Sequence, residues 1–366
     1  MLETPKQRNK LDNLQALRAF AASSVVVFHA GEATLRRGTA ETEAAALREI
    51  AWLGIFGVDV FFVISGFIMI YAHYDDFGKT GASRDFLLKR LIRIVPNYWL
   101  LTAVATAVLF LAPQLSHFGR TVDPEWVVAS FFFVPWTSSA GFPWPVLGLG
   151  WTLNFEMYFY VVFALALFLN RHAAIAGIFG FFAVSIVLGH LVEREGAFVV
   201  QATHWLLAEF LLGVFLGLAF KQGRQISNAA GGAAIAVCLI LLPLALVFKE
   251  NEALIPILRF LVFGFAGASL VAAFTLTPFS KSLAPPRGIM LIGDASYSLY
   301  LTHVFTIPAG RLMLERLPVS LPLWSEIGLL FAASIFVSLV FYFGFEKPSQ
   351  KYLRARFSAF LRKEKA

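Results

Sequence analysis

The sequence predicts an all-α polytopic membrane protein of about ten transmembrane helices, with both termini in the cytoplasm. Three observations carry that prediction. Hydrophobic residues make up 58% of the 366 and charged residues only 14%, against roughly 25% charged in a soluble domain. The apolar residues come in long blocks, and a run of about 18 or more reads as a membrane helix. Aromatic residues, led by 39 Phe, suit lipid-facing and helix-packing surfaces.

The blocks fall at 14–30, 51–72, 93–112, 149–169, 173–190, 201–220, 229–248, 254–277, 288–308 and 324–345. The first follows Lys6, Arg8 and Lys10 as a signal peptide would. Arg18 inside it argues for a retained span, because a signal core is uncharged. The block 288–308 is diluted by Asp294, His303 and several hydroxyls. Between the spans the connections are short, except for 113–148, which is rich in Pro, Trp and Gly. Its apolar run 126–136 is too short to cross and is expected to lie at the interface or re-enter. The organisation expected is one transmembrane domain over 1–346 and a basic cytoplasmic tail over 347–366, placed to bind anionic lipid headgroups.

Lys and Arg set the orientation. With the N-terminus inside, the cytoplasmic connections hold Lys79, Arg84, Lys89, Arg90 and Arg93, and the tail holds the basic run from Lys347 to Lys365. The opposite side keeps a minority that includes Arg36, Arg37 and Arg120. The net charge of +7 is therefore spread along loops facing lipid headgroups, and nucleic acid is not an expected partner. Cys238 is the one cysteine, so neither an internal disulfide nor a cysteine metal site can form. No metal is expected.

A charge at mid-bilayer costs about 2.5–3.5 kcal/mol or more on insertion scales, so charged residues inside the spans mark candidate sites. They are Arg18, Asp59, Glu156, Glu209 and Arg259, with His29, His204 and His303 at similar depth. Arg18 and His29 are eleven residues apart on one helix. That separates them by roughly 16 Å along the axis and returns them to within about 20° of one face. One stripe then carries a cation toward the inside and an imidazole toward the outside, as an elongated ligand would require; an Arg snorkelling inward and a His at the outer interface is the plainer alternative. Glu156, Asp59 and His303 fall in the same outer layer as His29. Arg259 and Glu209 read more simply as a structural ion pair, with Asp59 at a helix end. Arg90 and Arg93, three residues apart, share a face and suit a phosphate or diphosphate; ordinary anchoring at the inner surface is the alternative.

These parts suit acyl transfer to a hydroxyl. The hydroxyl needs a base, for which His is the natural choice, and a carboxylate such as Glu156 can orient that imidazole. Coenzyme A has an anionic nucleotide end, suited to cytoplasmic arginines, and a long thin arm that could rise along the stripe of Arg18 and His29. Trp136 and Trp144 could stack on a sugar ring or simply anchor the interface.

Six segments in order resemble the acyltransferase-3 family of integral-membrane O-acyltransferases, of the exopolysaccharide-production acetylase type. They are LDNLQALRAFAASSVVVFHA, GVDVFFVISGFIM, KRLIRIVPNYWL, GWTLNFEMYFY, SYSLYLTH and FEKPSQKYLR, and the resemblance as a whole runs over roughly residues 11–356. The resemblance implies about ten helices in the bacterial inner membrane, acetyl-CoA as a cytoplasmic donor substrate rather than a resident cofactor, and a carbohydrate acceptor. It places the family's essential residues on Arg18 and His29, its paired arginines on Arg90 and Arg93, and its acidic residue on Glu156. His29 and Glu156 are thus the expected catalytic pair, and Arg18, Arg90 and Arg93 the expected donor-binding residues. Asp59, Tyr297 and His303 also match recurrent family positions and are candidates for lining the site. Two other classes compete. A transporter or flippase for an anionic or sugar-linked substrate would also bury charges, but no internal repeat is visible. A haem protein would need histidines paired on two helices, and the sequence suggests no such pair among the seven.

Overall fold

The computed structural model describes residues 5–35, 41–112, 123–191, 195–248, 255–316, 318 and 321–364. Their regular elements are all helices, with no strand among the described residues. In chain order the helices are α1 (Pro5–Leu35), α2 (Glu41–Trp52), α3 (Phe56–His73), α4 (Ala82–Leu111), α5 (Pro124–Phe131), α6 (Gly150–Ala166), α7 (Arg171–Leu191) and α8 (Ala197–Ala202). They continue as α9 (Leu206–Lys221), α10 (Asn228–Phe248), α11 (Ile255–Arg259), α12 (Phe265–Leu276), α13 (Arg287–Asp294), α14 (Ser296–Leu314), α15 (Leu323–Phe341) and α16 (Lys347–Glu364).

Eight helical stretches among the described residues are long and apolar enough to cross a membrane, and the protein is a polytopic membrane protein. Helices stand at all ten expected positions, but three differ from the expected spans. The span 201–220 is interrupted over 203–205, between α8 and α9. The helix α6 has 17 residues, about 25 Å at 1.5 Å per residue, short of a hydrocarbon layer of about 30 Å. The expected span 288–308 is not one helix: it breaks at Ala295 into α13 and α14. Asp294 and Ser296, two of the polar residues that diluted the block, flank that break. Arg90 and Arg93 also lie deeper in their helix than expected, because α4 starts at Ala82 and runs 30 residues through Pro96. Of the long connection 113–148, residues 113–122 lie outside the described residues, as do Arg36, Arg37 and Arg120 of the orientation argument.

The chain divides into two compact units. The first comprises Met1–Tyr74 and Ala208–Leu339. At its centre α1 packs against α2, α3, α12, α13 and α14. Lipid supplies no hydrophobic drive between helices, so close approach of backbones has to do the work. Two glycines allow it. A Cβ on Gly57 of α3 would stand 2.1 Å from the Ala21 carbonyl oxygen, and one on Gly293 of α13 would stand 2.2 Å from the Gln15 carbonyl oxygen. Side-chain bonds fix the register. The Asn13 amide donates to the carbonyls of Phe274 (3.2 Å) and Ser280 (2.7 Å), and Gln15 donates to Asp294. Around these lies an apolar core that includes Leu17, Ala21, Phe56, Val60, Val63, Phe67 and Phe263.

The second unit comprises Asp75–Leu207 and Val340–Ala366. Here α4 packs on α6, α5 and α16, and α6 on α7. The helix α5 starts cleanly because Asp123 caps it, accepting from the amides of Glu125 (3.2 Å) and Trp126 (3.4 Å), with Pro124 at the first helical position. It is the short apolar segment expected not to span. Ser130, at its end, accepts from the Tyr98 hydroxyl through its carbonyl (2.9 Å) and from the Val146 amide through its hydroxyl (3.0 Å). The segment after α5 is thereby tied to α4. The basic tail forms α16, which continues α15 through a π-helical turn over Tyr342–Glu346.

Candidate active site

Each unit gathers one group of the expected residues. In the first unit Arg18 and His29 project from α1 toward α14. One guanidinium nitrogen of Arg18 donates to the Ser296 hydroxyl at 2.8 Å, and Arg18 is buried. Eleven residues further along, the His29 ring packs on the His303 ring, with centroids 5.1 Å apart. Both contacts advance in the same chain direction, so α1 and α14 run parallel, and one edge of α1 meets one edge of α14 at two depths. The stripe read from the spacing of Arg18 and His29 therefore faces protein at both ends.

His303 is fully buried. Its Nδ1 donates to the Leu299 carbonyl one turn back, at 2.9 Å, which fixes the tautomer and leaves Nε2 as an acceptor. That Nε2 is buried without a hydrogen-bond partner. Tyr300 packs edge-on against the His303 ring at 6.1 Å and against Phe61 at 6.2 Å. The statement that no two histidines pair across helices is thus corrected: His29 and His303 do. Nothing in either helix alone signals it, because the pairing depends on how α1 and α14 register. Tyr297 lies half-buried in the first turn of α14, next to the Ser296 that receives Arg18.

Asp59 has a different partner from the one expected. Its carboxylate is held bidentately by Arg259, Nε to Oδ1 at 2.9 Å and a terminal nitrogen to Oδ2 at 2.9 Å. The expected pairing of Arg259 with Glu209 is therefore replaced by Arg259 with Asp59. A π-helical turn over Phe260–Gly264 follows Arg259 directly, a rare element often found at functional sites. Glu209 stays close by. It interacts electrostatically with both Asp59 and Arg259, and a Cβ on Gly264 would lie 3.1 Å from its Cγ. Neither of its carboxyl oxygens has a hydrogen-bond partner.

In the second unit Arg90 and Arg93 of α4 face α6, which carries Glu156. The Arg90 guanidinium lies 5.5 Å from the ring centres of both Phe86 and Tyr160, a distance at which cation–π attraction operates. The Tyr160 hydroxyl donates to Glu156 Oε1 in a short contact. Arg93 and Glu156 are both in electrostatic range of Arg90. The Arg90 Nε is buried without a partner. Tyr160 and Ser296 are additions to the expected set. Tyr160 was findable, since it stands four residues after Glu156 on a helix, the spacing at which side chains meet. Ser296 was not, because its partner is 278 positions away. Trp136 and Trp144 are both exposed. Trp144 lies against Trp151, with ring centres 5.9 Å apart, and its carbonyl accepts from the Trp126 indole at 2.7 Å.

Chemically, the first unit offers two imidazoles in tilted contact at one end of a stripe and a guanidinium at the other. The second offers two guanidiniums and a carboxylate held by a phenol. A family model described as an acyltransferase domain matches residues 11–343. The chain is 38% identical over 289 residues to the exopolysaccharide production protein ExoZ of Rhizobium meliloti (strain 1021), a match covering 77% of this chain and 81% of that one. It is 26% identical over 330 residues to the O-acetyltransferase OatA of Staphylococcus aureus (strain NCTC 8325 / PS 47), covering 80% of this chain. The match takes in 50% of that protein, so the chain spans half the length of this relative. No solved structure matches the chain.

Proposed function

The chain belongs to the acyltransferase-3 family of membrane acyltransferases, and on that premise we propose that it moves an acetyl group from acetyl-CoA to a hydroxyl of an envelope or exopolysaccharide carbohydrate. The protein works in the bacterial inner membrane with both termini in the cytoplasm, and draws its donor from the cytoplasmic side. The single observation that carries the reading is the pair of His29 and His303, a base and a second imidazole set at the far end of the stripe that begins with Arg18. The names of two relatives support the substrates: one acts in exopolysaccharide production, the other is an O-acetyltransferase.

His29 accepts the proton of the acceptor hydroxyl as its oxygen bonds to the thioester carbonyl carbon. The carbon–sulfur bond breaks, and the leaving thiolate takes that proton from His29 to depart as the thiol, which restores the neutral base. A positioned base of this kind is worth about 10²–10⁴-fold in rate. His303 lines the base, with its Nε2 lone pair unoccupied. Arg90 and Arg93 hold the anionic end of the donor, as planar, permanently charged groups do for phosphates, and Arg18 is the donor-binding residue of the first unit. Glu156, held by Tyr160, is the second catalytic residue. A covalent acetyl-imidazole on His29 is the other route to the same product.

The experiment is chemical analysis of O-acetyl groups on envelope polysaccharide from cells with and without the protein, and with His29→Ala or Glu156→Ala in its place. Both variants are expected to insert at normal levels and leave the polysaccharide unacetylated. Near-normal acetylation from either variant removes the role given to that residue. Unchanged acetylation in cells that lack the protein removes the function.

A further inference from the structure

Within the second unit, one residue of the segment KRLIRIVPNYWL has no place in the chemistry above. Asn97 follows Arg90 by seven positions and Arg93 by four. Seven positions return to within about 20° of the same helix face and four to within about 40°. Phe86, Arg90, Arg93 and Asn97 therefore form one stripe along α4. That stripe faces α6. Phe86 packs edge-on against Tyr160 at 5.8 Å, and Arg90 covers the same ring. Beyond Asn97 the neighbouring Tyr98 touches the start of α6, where a Cβ on Gly150 would stand 2.5 Å from its hydroxyl.

Asn97 is 1% exposed, yet neither its Oδ1 nor its Nδ2 has a hydrogen-bond partner. A buried carboxamide with donor and acceptor both unmet is a liability in any protein interior, and more so at membrane depth, where water is scarce. A Leu of similar size would carry no such cost. The preceding residue adds to the local shortage of pairing. Pro96 has no N–H, so the carbonyl of Ile92 loses its helical donor. Positions that break a folding rule without a structural gain are where a ligand contact is to be sought.

We propose that Asn97 is a further binding residue for the donor substrate. Its Oδ1 accepts from a secondary-amide N–H in the arm that joins the anionic end of acetyl-CoA to its thioester, and its Nδ2 donates to a carbonyl oxygen of the same arm. The proposal rests on the donor reading above. Placement along the stripe is what selects the donor. Arg93 and Arg90 stand about 6 and about 10 Å back along the helix axis. A ligand with its phosphates on the arginines and a neutral arm running along α4 reaches Asn97 next. A vicinal diol of a sugar presents the same donor and acceptor chemistry, and the test separates the two sources.

The test uses the purified full chain and the variants Asn97→Leu and Asn97→Ser. CoA is titrated against each, alongside a CoA analogue whose arm amides are replaced by esters, which keep the acceptor and lose the donor. Wild type is expected to bind CoA about tenfold more tightly than the ester analogue, the size of one good hydrogen bond. Asn97→Leu is expected to bind both at the weaker level while withstanding heat at least as well as wild type. Asn97→Ser keeps a shorter hydroxyl and is expected to fall between. Equal CoA affinity in wild type and Asn97→Leu overturns the proposal, as does a wild type that does not distinguish CoA from the ester. A raised KM for the carbohydrate with unchanged CoA binding overturns the choice of donor over acceptor. A wild type that binds no CoA at all defeats the donor reading itself, whatever the variants do.

Discussion

The ion pair of Asp59 with Arg259 makes a prediction whose asymmetry is set by a third residue. Two N–H···O bonds of 2.9 Å join the groups. Asp59 is fully buried and the Arg259 side chain is 16% exposed. With charge centres about 4 Å apart, their attraction is about 4 kcal/mol at an effective dielectric near 20. Desolvation offsets much of that, so the pair adds little net stability. Breaking it from one side is costly all the same, at about 3–5 kcal/mol, because the other charge stays buried alone. The two sides are not equivalent. Removing Arg259 as Arg259→Leu leaves Asp59 and Glu209 together with no cation, and the full cost is expected. Removing Asp59 as Asp59→Leu leaves Arg259 beside Glu209, whose unpartnered carboxyl oxygens can take its place; the cost is expected to be well below that range. The double variant Asp59→Leu, Glu209→Gln removes the substitute and should fall to the level of Arg259→Leu. A difference of about 3 kcal/mol is more than a hundredfold in the folded-to-unfolded ratio. It is readable as the fraction of detergent-solubilised protein still monodisperse after a heat challenge. Equal losses for Asp59→Leu and Arg259→Leu, or a greater loss for Asp59→Leu, would refute the reasoning.

Three further outcomes are expected. Gly57→Leu drives a side chain into the Ala21 carbonyl and pushes α1 off α3; a loss of about 1–3 kcal/mol in stability should appear as a lower heat-challenge midpoint, and a midpoint equal to wild type would contradict the close packing. Tyr160→Phe removes the donor to Glu156 while keeping the ring under Arg90; kcat for acetyl transfer should fall about tenfold or more, with a stability loss of no more than about 1.5–3 kcal/mol, the worth of a bond to a charged group, and an unchanged kcat would show that the phenol does not position the carboxylate. Ser296→Ala strips the 2.8 Å bond from buried Arg18, a change worth about 1.5–3 kcal/mol for a bond to a charged group, and should raise the KM for acetyl-CoA without abolishing turnover. An unchanged KM would show that the hydroxyl does not position the guanidinium.

The helical, membrane-embedded class was legible because length and apolarity alone decide it. Local pairing was legible too, where it follows helix periodicity: the common edge of Arg18 and His29 depends only on their eleven-residue spacing, and both ends of that edge meet α14. What the sequence concealed are partners brought together by packing. Asp59 and Arg259 are 200 positions apart, and the π-helical turn over Phe260–Gly264 that follows Arg259 leaves no mark in an apolar run that satisfies any helical period. The pairing of His29 with His303 was hidden for the same reason. The break at Ala295 was foreshadowed by the polar residues that weakened the block 288–308, though they did not indicate two helices. Arg90 and Arg93 looked like residues at the mouth of a span. The mixed sequence over 82–92 nevertheless continues the helix, because Leu, Lys and Arg all favour it.

The central claim is that His29 takes the proton from a carbohydrate hydroxyl while acetyl-CoA supplies the acetyl group. The most direct measurement is transfer of labelled acetyl from acetyl-CoA to carbohydrate by the purified protein in lipid vesicles, wild type against His29→Ala. Labelled carbohydrate is expected with wild type, and a rate lower by about 10²–10⁴-fold with the variant. Label transferred by His29→Ala at the wild-type rate, or no label transferred by a folded wild type offered both substrates, would contradict it.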